Sequence, residues 1–164
     1  MSRVLVCAAL AALCGAAAAS AALPRAGLLV PDESLAGVRI GDTGAQVRAT
    51  LGTFYGVCRG CAHTTLYFTY GRFQRHGLGV ELTRGRVSAL YTLWRPDGWT
   101  TSDGLRLGAS EGEVNSVAGT LVPVACVGYS ALVHDGKSAR TAYYVVGGNL
   151  WGFGLLARLQ SPCR

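Results

Sequence analysis

Lysine is nearly absent from this chain of 164 residues. Lys137 is the single copy, and arginine supplies the rest of the 15 basic side chains. Set against 9 acidic residues this gives a formal net charge of +6, a balance that can signal nucleic acid or an anionic surface. The placement of the arginines argues otherwise. Arg72, Arg75 and Arg95 fall at one end of an expected hairpin and Arg84 and Arg86 at the other, so they make no continuous stripe along a phosphate backbone. No RRM or KH aromatic motif accompanies them, and nucleic acid is not an expected partner.

The catalytic signatures are missing as well. Histidine occurs only as His63, His76 and His134; none belongs to an HExxH, and no GxSxG elbow stands near them. His134-Asp135 runs into Gly136-Lys137 and reads as a turn. No catalytic residue, metal ligand or cofactor is therefore assigned, and an enzyme is not expected. A single apolar run, Val4–Ala19, falls short of the roughly 20 residues that span a bilayer, so no stable membrane anchor is expected. With Arg3 before it and Ala19-Ser20-Ala21 after it, the run has the layout of a secretory leader cleaved near Ala21. Leu13 is too bulky before Cys14 for a lipoprotein site. Removing the leader takes Arg3 and two cysteines, and leaves four cysteines and 14 basic against 9 acidic residues, a net +5. The expected location is secreted or the exterior of the cell envelope.

What the chain does have is a repeat. Gly37–Gly52 returns, shifted by 67 positions, as Gly104–Gly119. Gly37, Arg39, Gly41, Val47 and Gly52 match Gly104, Arg106, Gly108, Val114 and Gly119. Thr43 and Ser110 are N-caps, and Gln46 and Glu113 three residues on complete two capping boxes. Gly52 and Gly119 stand where a helix stops. Only about two turns fit between, too few for a helix to stand alone in water.

After the first helix, Thr53–His63 reads as a loop. Thr64–Tyr70, Gly77–Thr83 and Val87–Trp94 alternate with a period of two, the last two joined by a tight turn at Arg84-Gly85. The second copy repeats the plan with Tyr129–Val133, Ala139–Val146 and Leu150–Leu159, and Gly147-Gly148-Asn149 as the hairpin turn. The expected fold class is α+β: two tandem units of a short capped helix followed by antiparallel strands, helices on one face of the sheet. The divisions are a leader at 1–21, an irregular lead-in at 22–33, and repeats at 34–96 and 97–164.

Cys58, Cys61, Cys126 and Cys163 read as disulfide cysteines in an exported chain. Four cysteines allow three connectivities; Cys58–Cys61 with Cys126–Cys163 is preferred because the second bond ties a post-helix loop to the end of the chain. A zinc ribbon would need a second CxxC, and Ala62 spoils the haem pattern CxxCH. Thiol–disulfide exchange through Cys58 and Cys61 is the enzymatic alternative, although a loop before a strand does little to lower a thiol pKa.

Aromatic residues supply the candidate binding set. Tyr67 points away from Leu66 and Phe68, and Glu81 away from Val80 and Leu82. Trp94 opposes Leu93, and Trp151 opposes Leu150. On the sheet face away from the helices, Tyr67, Glu81, Trp94 and Trp151 would form an anchor for another protein.

The residues Val38-Arg39-Ile40-Gly41 through Gly52, and Leu105-Arg106-Leu107-Gly108 through Gly119, carry a resemblance. Two units of G-x-[ST]-x-x-x-V-x-x-x-x-G followed by antiparallel strands resemble the beta-lactamase inhibitory protein fold, and are similar to the single unit of BamE-type outer-membrane assembly lipoproteins. The resemblance implies a non-catalytic, inhibitor-like binding module with an unassigned target. A cell-envelope assembly or scaffolding component is the structural alternative.

Overall fold

The computed structural model describes residues 22–164. The expected leader, with its cleavage site and Cys14, lies outside the described residues.

The repeated stretches are helices. Gly44–Leu51 (α1) is capped by Thr43, whose hydroxyl accepts from the Gln46 N–H while the Gln46 side chain accepts from the Thr43 N–H. Glu111–Ala118 (α2) is capped by Ser110, which accepts from the Glu113 N–H at 3.2 Å. The return bond from the Glu113 side chain is not made, so the second expected capping box is one-sided. Val47, Leu51 and Val114 are the buried helix residues.

The expected α+β class is corrected by the strand content. Strands account for 43% of the described residues and helices for 11%, so the chain is mainly β. Two of the strands lie where sequence alone reads loops. Gly56–Cys58 (β3) and Val122–Cys126 (β8) are the outer strands of an eight-stranded antiparallel sheet. Between them lie Thr64–Thr69 (β4), Gly77–Thr83 (β5), Arg86–Leu93 (β6), Tyr129–Asp135 (β9), Arg140–Val146 (β10) and Asn149–Leu156 (β11). Their spatial order is β3-β4-β5-β6-β11-β10-β9-β8. Each helix adds only two turns, while each post-helix segment adds a strand; that balance sets the class.

The segment expected to be an irregular lead-in also contains a strand. Leu28–Val30 (β1) pairs antiparallel with Ser34–Leu35 (β2) and parallel with Thr100–Thr101 (β7), forming a separate three-stranded sheet. Trp99, just before β7, is buried and donates its indole N–H to the Tyr70 hydroxyl at 2.7 Å. Tyr70 in turn donates to the Pro24 carbonyl.

The halves meet where β6 pairs with β11, through Tyr91↔Gly154, Leu90↔Leu155 and Ala89↔Leu156. Beyond that short seam each strand takes a different neighbour. Gly41 N–H donates to the Val87 carbonyl and Val87 N–H to that of Asp42. Gly108 N–H donates to the Leu150 carbonyl and Leu150 N–H to that of Ala109. The turn glycine and the residue after it, just ahead of the cap, therefore seat each helix on a strand of the sheet by the same bonds in both copies. One apolar cluster, with Val47, Leu51, Phe68, Leu90, Val114, Tyr143, Phe153 and Leu155, draws on both halves.

Candidate functional site

The sheet face away from the helices is built by the alternate residues of each strand. Thr65 opposes Glu81 and Tyr67 opposes Gly79 across β4 and β5. Ala89 and Tyr91 continue the face on β6, Gly154 and Leu156 on β11, Ala142 and Tyr144 on β10, and Ala131 and Val133 on β9. Glycines are required here by the tyrosines. A Cβ on Gly79 would stand 2.6 Å from the Tyr91 ring, and one on Gly154 would overlap the Tyr144 hydroxyl. Both rings lie flat across a neighbouring strand, which only a residue without a side chain permits.

The four candidate binding residues divide into two groups. Trp94 and Trp151 come together, edge to face with ring centroids 6.0 Å apart. The Arg75 guanidinium lies 5.1 Å from the Trp94 ring centroid, within the range of a cation–π contact. Trp94 is 50% exposed, and Phe73 in the β4–β5 connection is 93% exposed. Sequence reasoning placed Arg75 at a hairpin end without a binding role and passed over Phe73, because a connection has no periodicity from which to read a side chain's direction. Beside them runs an open groove of about 760 Å³, lined by Arg25, Tyr70, Phe73, Arg75, His76 and Trp94.

Tyr67 and Glu81 belong to the second group, and Glu81 departs from its expected role as an exposed contact. It is buried, with 9% exposure, beneath Arg164. Arg164 follows the cysteine that bonds Cys126. Its Nε stands 3.6 Å from Glu81 Oε1, and its guanidinium lies 5.7 Å from the Tyr91 ring centroid. Tyr129 holds the Arg164 backbone at both N–H and carbonyl. Burial pushes the Tyr91 phenol above its ordinary pKa, with Tyr67 and Glu81 adding to the rise and Arg164 opposing it. Tyr144 is raised for the same first reason, burial.

The disulfides are Cys58–Cys61 and Cys126–Cys163, with Cα separations of 5.7 and 5.5 Å. Cys58 ends β3 and Cys126 ends β8, so each bond fastens the end of an outer strand. Cys58 and Cys61 lie at the end of β3 and in the connection after it, and not in the first turn of either helix, the setting that most lowers a thiol pKa. Among the described residues, no three His, Cys, Asp or Glu side chains converge as a metal site. No described helix is long and apolar enough to cross a membrane.

No protein family matches the chain, and no curated protein matches it in sequence. A solved structure similar in fold is that of an extracellular protein containing an SCP domain from Bacillus anthracis str. Ames, with a TM-score of 0.54 and 10% identity. The likeness covers 73% of this chain and 44% of that one, so this chain spans less than half the length of its neighbour. At that identity the likeness is one of fold.

Proposed function

We propose that this chain is a secreted, non-catalytic binding module that docks on another protein through the aromatic end of its sheet. The observation that carries the reading is the exposed Phe73 beside the Trp94–Trp151 pair, with Arg75 stacked on Trp94. Tryptophan and arginine dominate interface energetics because they bury large areas and still offer a directed polar contact. Two tryptophans held against each other lose little further freedom on binding, which favours them as anchors.

Arg25 and Arg75 line the groove next to this patch, with Asp97 the acidic residue among its lining. The complementary partner carries an acidic residue beside an apolar projection, the first for the arginines and the second for Phe73 and Trp94. The two disulfides support maturation in an oxidising compartment, and removal of a leader near Ala21 belongs to the same proposal. The tandem capped helices and the following strands support an inhibitor-like module of the kind that the repeat motif resembles.

The test is capture from the culture medium and envelope of the producing cell by the immobilised chain, beside Trp94→Ala and Phe73→Ala. A partner retained by the native chain should be lost from Trp94→Ala by a factor of about 30, the size of a 2 kcal/mol anchor. It should also elute as salt is raised. Equal capture by all three chains would remove the patch from the interface and the reading with it.

A further inference from the structure

The open face of the sheet also holds a small cavity, which shares Trp151 with the docking patch and none of its other residues. It measures about 140 Å³ and is lined by Tyr91, Tyr129, Tyr144, Val146, Trp151 and Arg164. A cavity of about 150 Å³ with an apolar wall accepts one benzene ring, so this one takes a body of that size. Arg164 is the one charged residue in the lining.

Two groups in that wall have hydrogen bonds left to give. Tyr144 is 7% exposed, and its hydroxyl has no partner among the described residues. That hydroxyl stands over Gly154, where it would overlap an added Cβ, and Gly154 pairs with Tyr91. It therefore reaches from β10 across β11, toward the β6 residue over which the Arg164 guanidinium lies, 5.7 Å from the ring centroid. By contrast, Tyr129 donates to the Arg164 carbonyl at 2.8 Å, and Thr92 in the same lining accepts from the Phe153 N–H at 2.9 Å. Arg164 is the second group. Glu81 lies outside the lining and stands 3.6 Å from its Nε, beyond a hydrogen bond. Among the described residues the guanidinium makes one such bond, from Nη1 to the Cys163 carbonyl at 3.2 Å. The Cys126–Cys163 bond and the Tyr129 hydroxyl fix its place in the wall. A buried donor without an acceptor costs free energy. Two donors in the wall of one apolar cavity call for an acceptor, and the cation selects a charged one.

We infer that this cavity binds a small organic carboxylate with a ring-sized apolar body. One carboxylate oxygen accepts from the Tyr144 hydroxyl and the other from the Arg164 guanidinium, while the body lies against Val146 and Trp151. A cationic ligand is repelled by Arg164, and a ligand without an acceptor leaves the Tyr144 hydroxyl unpaired.

Calorimetric titration of the native chain with benzoate at constant ionic strength tests the site without any partner protein. One saturable site per chain is expected. Acetate, which leaves the apolar wall unfilled, should bind at least about tenfold more weakly. Benzamide, with the same ring and no charge, should also bind about tenfold more weakly. Tyr144→Phe should weaken benzoate about tenfold, and should leave the urea midpoint of the free chain unchanged or higher, because it removes an unpaired buried hydroxyl. Arg164→Gln should weaken benzoate by a similar factor. No saturation, acetate or benzamide equal to benzoate, or unchanged affinity in either variant would each overturn the assignment. So would a lowered midpoint in Tyr144→Phe, since it would show the hydroxyl paired within the fold. Trp94→Ala should leave benzoate binding in place, which keeps failure of this site distinct from failure of the docking patch.

Discussion

At the scale of single residues, Asp32 shows how much one carboxylate can hold. It sits in the tight turn between β1 and β2 with φ of 63°, a conformation that aspartate tolerates better than most residues. Its two oxygens accept from the backbone N–H groups of Lys137, Ser138 and Ala139, at 2.9, 2.7 and 2.6 Å. Its own N–H donates to the Thr141 hydroxyl. The small sheet is thereby pinned to the β9–β10 turn. Burial acts to raise the Asp32 pKa, but the three backbone bonds outweigh it and hold the group below the ordinary 3.8. A depressed folded pKa means stability that is complete above the unfolded value and is lost as pH falls through the folded one. Acid unfolding of the native chain should therefore steepen below about pH 4. Asp32→Asn, with fewer acceptors, should unfold about 1–2 kcal/mol more easily at neutral pH and show a flatter acid limb. Coincident acid limbs in denaturant titrations from pH 2 to 6 would remove Asp32 from the account.

At the scale of elements, the caps differ in a way that stability can read. Thr43 makes both bonds of a capping box, and Ser110 makes one. Thr43→Ala should cost about 1 kcal/mol or more, and Ser110→Ala about half as much; urea midpoints of the two variants give the comparison. The disulfides are also unequal. Cys126–Cys163 closes 37 residues and Cys58–Cys61 closes 3, so paired serine variants should lose about 4 and about 2 kcal/mol in the chain-entropy view.

Much at this scale was legible in the sequence. Hydroxyl, glutamine or glutamate and glycine at fixed offsets locate the helices, and the alternation of Leu78, Val80 and Leu82 locates β5 and its inner face. The outer strands were not legible. β3 is three residues long, and β8 carries Pro123, which lowers any strand reading. β1 and β7 are three and two residues long and pair across some 70 positions of sequence, so no local pattern encodes them. At the site, the direction of Tyr67 and Glu81 follows from parity. The covering of Glu81 depends on Arg164, brought across the sheet from 83 positions away by a bond whose consequence no local pattern shows.

At the scale of the whole molecule, the two halves share one apolar cluster while touching through a short strand seam. Neither half keeps its core without the other. Heating should therefore give a single cooperative transition, with tryptophan fluorescence and far-ultraviolet circular dichroism superimposing. Trp99 belongs to that shared interior, and Trp99→Ala should cost about 3–5 kcal/mol. Two separated transitions would mean that the halves are independent bodies.

The margins of the large sheet bear on how such a chain survives at high local concentration. An unpaired strand invites another copy to add on, and the unit could in principle lengthen from either side without limit. On one side the strand offers only three residues; on the other, Pro123 brings no N–H to a newcomer. Sulfur bonds clamp both borders at their cysteine ends, so neither can slide outward to lengthen its template. The two clamps thus guard against runaway polymerisation, and the one at Cys126–Cys163 also keeps Arg164 across the open face; a reducing environment would undo them together.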